Sequence, residues 1–96
     1  MTRIEDVPDE TLVAALARRD QRALAQLVER HGGWAARFAE RMTGNAQTAE
    51  DVVQNAFLNM HRALATFEPH GTFRAWSRKI VFNAGLMHLR SRRAKH

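Results

Sequence analysis

The sequence predicts a compact all-α bundle of about four helices, and three observations carry that reading. Apolar residues recur at three- and four-residue spacings along most of the chain, with no convincing stretch of strict alternation. The pattern is punctuated at Asp20, at Thr43-Gly44-Asn45 and at the turn that holds Pro69 and Gly71. Ninety-six residues, 45% hydrophobic and 26% charged, suffice for one modest core but not for two. Residues 1–96 therefore read as a single domain with its helical core at about 9–90, free of internal repeats, linkers and low-complexity segments.

The first helix is expected from about Asp9 to Arg19, with Leu12, Val13 and Leu16 on one side and acidic residues in its first turn. Asp20 is a plausible N-cap for the second, which runs to about Met42 on the stripe Leu24, Leu27, Val28, Trp34, Ala35, Phe38 and Met42. Gly32 and Gly33 fall away from that stripe and leave its phase intact, which predicts a weakened or bent helix rather than two helices. Thr43-Gly44-Asn45 ends it. A third helix is expected to start near Thr48, where "TAED" resembles a capping box with Asp51 in place of Glu. Val53, Ala56, Phe57, Met60 and Leu64 form its buried side. Thr72 is then the expected N-cap of a fourth helix, with Phe73, Trp76, Ile80, Ala84 and Met87 on one face and fraying after Arg90.

Several function classes are disfavoured. There is no cysteine, so neither disulfides nor cysteine-bound metals are available. No apolar run approaches the roughly 18 residues of a membrane span, and "MTRIEDVPDE" lacks a signal-peptide core, so a cytosolic protein with no membrane partner is expected. His31, His61, His70, His88 and His96 lack metal-ligand spacing, and His31 reads as a hydrogen-bonded core histidine. Glu50 and Asp51 are adjacent and so point to different faces, and no glycine-rich phosphate loop is present. The expectation is a protein without enzymatic activity, metal or cofactor.

Charge is divided unevenly. Residues 1–68 hold eight Arg/Lys against ten Asp/Glu, a balance of −2, whereas residues 69–96 hold seven and none, a balance of +7. Such a split fits a polyanion held by one end of the molecule, although a solvated basic tail would look the same. Charge alone does not separate DNA from RNA or an anionic membrane. Arg74, Arg78, Lys79, Arg90, Arg92, Arg93 and Lys95 supply the cations, and Asn83 lies one turn beyond Lys79 at the edge of the buried stripe. Arg and Lys neutralise phosphates, while Asn can read a base edge with its paired donor and acceptor. The turn Glu68 to Thr72 is the better candidate for holding an unstacked base, because Phe73 and Trp76 also suit a core role. A second surface is the outward side of the third helix, where Asp51, Gln54, Asn55, Leu58 and Arg62 lie opposite the buried stripe. A leucine ringed by polar groups suits a protein partner, and it also occurs on plain solvated helices.

The stretches "AEDVVQNAFLNMHRAL" and "TFEPHGTFRAWSRKIVFNAGLMHLR", preceded by "DQRALAQLVERHGGWAARFAERMTGN", resemble region 2 of bacterial sigma factors of the extracytoplasmic-function group. The similarity runs from about Asp9 to Arg93 without a gap, and "DVVQ…F" followed by "F…G.FRAW…I..N…LR" is a specific motif. The resemblance implies a non-enzymatic transcription initiation module of the sigma region 2 fold. It implies that the third helix docks on the clamp helices of the largest catalytic subunit of core RNA polymerase, through Asp51, Gln54, Asn55, Leu58 and Arg62 with His61 beside them. It implies further that Phe67, Glu68, Pro69, His70, Gly71 and Thr72 form a pocket for a flipped non-template base of the −10 promoter element. Arg74, Arg78, Lys79 and Asn83 would contact backbone and bases, and an anti-sigma factor is an expected partner.

Three positions depart from the family pattern. Asn55 stands where Glu is usual, His61 where Trp is common and Met87 where Asp is frequent. These bear on polymerase affinity and base preference, not on fold. The chain reaches "SRRAKH" about where a linker to the family's second domain, region 4, would begin, so an excised domain is expected, or else a protein that works with region 2 alone. Two rival readings stay open: a sigma mimic that sequesters an anti-sigma factor, and a helical protein that binds duplex DNA.

Overall fold

The computed structural model describes residues 7–67 and 71–94. Among them the chain forms four helices: α1 (Asp9–Ala17), α2 (Gln21–Thr43), α3 (Ala46–Ala63) and α4 (Phe73–Ala94), with a 3₁₀ turn at Leu64–Thr66 and no strand. The expected all-α bundle of four helices is the architecture found.

Local chemistry explains most of the boundaries. α1 stops at Ala17, earlier than the sequence pattern suggests, because Arg19 takes the left-handed conformation with φ 65°. That geometry lets the Arg19 and Asp20 amides donate to the Leu16 and Ala15 carbonyls at 2.8 and 3.1 Å, which closes the helix. Asp20 caps α2 as expected, its carboxylate accepting from the Arg22 amide at 2.9 Å. α2 passes through Gly32 and Gly33 as one helix and ends at Gly44, whose φ of 72° suits glycine and whose amide donates to the Glu40 carbonyl.

The start of α3 corrects the sequence reading. Asn45, leaving Gly44 in extended conformation, is the cap, and its side-chain oxygen accepts from the Thr48 amide at 3.0 Å. Thr48 already lies inside the helix, so the Thr48–Asp51 capping box is not formed as such. Thr72 does cap α4, its hydroxyl accepting from the Ala75 amide at 3.1 Å. α4 also continues to Ala94 rather than fraying after Arg90: "SRRA" contains no breaker, and Arg92 and Arg93 suit the negative end of the helix dipole.

α2 is the hub, packed against α1, α3 and α4. Leu16, Leu24, Leu27, Val52, Met60 and Val81 have at most 1% exposure, and burying each large aliphatic side chain contributes about 1.5–3 kcal/mol. Ala35 and Ala39 of α2 and Ala49 and Ala56 of α3 are also buried, and their small side chains let the two helices approach closely. α2 and α4 run in the same direction. His31 meets Phe73, Trp34 meets Arg74, Phe38 meets Arg78 and Phe82, and Met42 meets Gly85.

The buried stripe of α4 differs from the expected one. Phe73 and Ala84 are buried as predicted, but Trp76 and Ile80 are half-buried and Met87 is 67% exposed. Ser77, Val81 and Gly85 take the core-facing positions. At Gly85 size is the reason, since a Cβ there would lie 2.7 Å from Met42 Cε. The Ser77 hydroxyl is accommodated in the core by donating to the Arg74 carbonyl at 3.3 Å.

Two glycines give a paired prediction. Gly32 has open space around its would-be Cβ and lies inside α2, so Gly32→Ala should stabilise the fold by up to about 1 kcal/mol through helix propensity. Gly44 also has open space but a left-handed backbone, so Gly44→Ala should destabilise it by about 1 kcal/mol. Urea unfolding of the two variants beside wild type checks both signs.

Candidate functional site

The α3 residues singled out from the sequence come together. Ala49, Val52, Val53, Ala56 and Met60 anchor one side of the helix in the core, which turns the opposite side to solvent. Asp51, Gln54, Asn55, Leu58, His61 and Arg62 are all exposed there, with Leu58 at 55% as the apolar centre of a polar strip. Among the described residues the one side-chain hydrogen bond made from this strip is loose, 3.5 Å from Arg62 Nη1 to Asn59 Oδ1.

The residues that flank the turn between α3 and α4 are held by packing. Phe67 is 6% exposed, so it is a core residue rather than an exposed contact. Its ring packs edge-on against Trp76 at 5.0 Å, Trp76 meets Phe73 at 5.7 Å, and Phe73 lies 4.9 Å from the His31 ring on α2. This aromatic series joins both ends of the turn to the central helix. Gly71 and Thr72 are exposed at its exit, Gly71 with φ 74°, while Glu68, Pro69 and His70 lie outside the described residues.

A residue that sequence reading missed ties down the entry to the turn. Arg19 reaches across from the end of α1, donating through Nη2 to the Ala65 carbonyl and through Nη1 to the Phe67 carbonyl, both at 3.2 Å. Nothing in the local sequence marks this contact, because the partners are more than forty positions apart.

The α4 cations occupy two adjoining strips. Lys79 and Asn83 face outward, both exposed, so Asn83 is well clear of the buried stripe. Arg74 and Arg78 lean towards α2, where their guanidinium carbons lie 5.1 Å from the ring centres of Trp34 and Phe38 respectively. Arg37 and Arg41 of α2 line the same furrow. The signal that could have found them is the i, i+4 pairing of Arg37 with Arg41 beside Trp34 and Phe38.

His31 is satisfied, as its place on the α2 stripe suggests. Its Nε2 lies 2.8 Å from Asp9 Oδ2, and its Nδ1 accepts from the Trp34 indole N–H at 2.7 Å. Asp9 Oδ1 in turn accepts from Arg30 at 3.0 Å. Burial pushes the Asp9 carboxyl up, but hydrogen bonds from His31 and Arg30 and their charge outweigh it and hold the group below the usual carboxylate value. The network fixes α1 on α2 beside the aromatic series. No group of three or more His, Asp or Glu among the described residues is placed to hold a metal ion. No helix among them is long and apolar enough to cross a membrane.

The family model for sigma-70 region 2 matches residues 27–95. The chain belongs to that family. This region 2 chain is 41% identical to the RNA polymerase sigma factor CnrH of Cupriavidus metallidurans over 75 residues, which cover 78% of the chain and 39% of that protein. It is 34% identical to the RNA polymerase sigma-H factor of Pseudomonas aeruginosa over 84 residues, or 88% of the chain and 44% of the relative. To the ECF RNA polymerase sigma factor SigM of Mycobacterium tuberculosis it is 34% identical over 86 residues, again 44% of that protein. The region 2 chain thus spans about two-fifths of the length of the curated relatives it matches. Among solved structures, an engineered region 2 of sigmaE, determined by NMR in complex with GTAAAA, superposes with a TM-score of 0.82 at 29% identity. That match covers 99% of this chain and 97% of the other. These relatives place the chain in the extracytoplasmic-function group, as the motifs imply.

Arg19 gives a test of how the turn is held. Arg19→Ala should lower stability by removing the bonds to Ala65 and Phe67 while keeping the unfavourable left-handed backbone. Arg19→Gly removes the same bonds but relieves that backbone, so it should be the more stable of the two by about 1 kcal/mol. Denaturant titration of the pair measures the difference.

Proposed function

We propose that this chain is the region 2 module of a transcription initiation factor, which binds core RNA polymerase with one face and reads and opens the −10 promoter element with another. The observation that carries the reading is the separation of the two surfaces. The strip of Asp51, Gln54, Asn55, Leu58, His61 and Arg62 lies free on α3, and the cations of α4 sit beside the turn on a different part of the bundle. One domain can therefore engage polymerase and DNA at the same time.

On the polymerase side, Leu58 supplies the apolar anchor for the clamp helices, and Asp51 and Arg62 supply charges that set register around it. Asn55 carries no charge where the family usually has Glu, which makes Asp51 the main acidic contact on this strip. On the DNA side, the segment Glu68 to Thr72 takes up an extruded non-template base. Arg74, Arg78 and Lys79 neutralise phosphates while Asn83 reads a base edge. Extrusion costs a few kcal/mol, which the pocket and the phosphate contacts offset. Strand opening comes from binding energy alone, with no catalytic step. The sigmaE region 2 that binds GTAAAA supports a single-stranded target over a duplex. An anti-sigma factor fits the flank of α4 where Met87 is exposed and Ile80 half-buried. The cytoplasm is the compartment where these partners meet.

Two substitutions separate the surfaces. Asp51→Arg should abolish binding to an isolated clamp-helix fragment of polymerase while leaving helical content and DNA binding unchanged. Asn83→Ala should spare polymerase binding and weaken discrimination among −10 single strands by about 1–3 kcal/mol. If a folded wild-type chain bound neither partner, or if both variants lost the same activity by unfolding, the two-surface reading would be wrong.

A further inference from the structure

The cations of α4 do not act alone. Trp34, Arg37, Phe38 and Arg41 of α2 face Arg74 and Arg78 of α4 across a shallow furrow, which Lys79 and Phe82 extend. Because the two helices run in the same direction, the furrow begins beside Gly71 and Thr72 and leads away from the turn. From Arg74 to Phe82 it is about 12 Å long at the helical rise of about 1.5 Å per residue.

Three features identify its occupant. No carboxylate among the described residues pairs with Arg37, Arg41, Arg74, Arg78 or Lys79. Glu40 lies one turn beyond Arg37, but it pairs with neither Arg37 nor Arg41 and is not among the residues that line the furrow. The furrow is thus uniformly cationic, which calls for an anion. Next, Trp34 and Phe38 each have one ring face taken by a guanidinium, at 5.1 Å. A guanidinium stacked in this way is held in orientation, and its N–H groups remain free at its edge, the geometry that phosphate accepts. Those two rings are accordingly props for arginine rather than platforms for bases. Last, Arg74 and Arg78 lie one helical turn apart, as do Arg37 and Arg41 on the opposite wall, so the donors repeat along the furrow.

We infer that the α2–α4 furrow is a track for the sugar-phosphate backbone of the promoter strand, continuing from the turn, with Arg37 and Arg41 of α2 as phosphate contacts. This rests on the reading of the turn and α4 as the DNA surface, and it adds a second helix to that surface. The contribution is to affinity and not to base choice, because phosphate contacts position a strand without reading it.

The test is the combined substitution Arg37→Gln and Arg41→Gln in the full chain. Both residues are exposed and glutamine is a comparable helix former, so the fold should persist, as circular dichroism would verify. Binding to a labelled random-sequence single-stranded DNA is measured across a salt series. Loss of two phosphate contacts should flatten the log–log salt slope by about 1.4 and weaken binding about ten- to thirtyfold at 0.1 M salt. Preference among −10 sequences should be unchanged, in contrast to Asn83→Ala. An unaltered slope in a variant that still binds and selects DNA would overturn the track while leaving the proposed function intact. Unaltered DNA binding with lost binding to polyglutamate would assign the furrow to an acidic protein instead. Failure of the wild-type chain to bind any single strand would remove the DNA surface and the track together.

Discussion

The series of rings His31, Phe73, Trp76 and Phe67, with neighbouring centres 4.9 to 5.7 Å apart, is the contact on which the functional geometry depends. It starts on the central helix, passes the first turn of α4 and ends at Phe67, the last residue before the turn. The turn is thereby clamped at both ends, from Phe67 on one side and Phe73 on the other. Asp9 and Trp34 hold His31 in turn, with Arg30 bonded to Asp9, and Arg19 holds the carbonyls of Ala65 and Phe67. α1 places Asp9, Glu10 and Val13 beside Gly71, Thr72 and Arg74, and the segment around it fixes the site from two directions. Edge-to-face and tilted ring contacts are worth about 0.5–1.5 kcal/mol each beyond burial, enough to favour one placement of Phe67 relative to the start of α4.

A helical bundle suits a protein with two partners because each helix has a buried side and a free side. α3 spends its buried side on α2 and leaves the Leu58 strip open. α4 does the same with its outer cations. The parallel course of α2 and α4 then adds the α2 arginines to the α4 row, which antiparallel packing in another register would not. Gly85, by admitting Met42, keeps the two helices close further along the furrow.

Helices, most caps and the α3 strip were legible in the sequence because they follow from short-range spacing. Asp20, Gly44 and Thr72 act as their residue types suggest, and Asp51 to Arg62 share a face because the helical repeat requires it. Asn45 was misassigned in favour of Thr48, since a Gly-Asn pair serves two helices at once and either residue type can cap. The α4 stripe was misjudged because periodicity follows hydrophobicity, while packing against α2 also follows size. That difference moved Met87 to the surface and Ser77 into the core. The Arg19 tether comes from contacts distant in sequence, for which no local spacing rule exists. On α2 the spacing of Arg37 and Arg41 beside Trp34 and Phe38 is local but does not tell that this side faces α4. The family motifs pointed to the turn and α4 but carried no sign of Trp34, Arg37, Phe38 or Arg41.

The central claim is that one small bundle presents two independent surfaces, and a pair of NMR titrations tests it most directly. An isotope-labelled chain would be titrated separately with a −10 single strand and with the clamp-helix fragment, following backbone amides. The account predicts shifts around Gly71–Thr72, along α4 and on the furrow side of α2 in the first titration. In the second it predicts shifts confined to the outward strip of α3, with each partner still binding in the presence of the other. Overlapping sets of shifted residues, or displacement of one partner by the other, would contradict it.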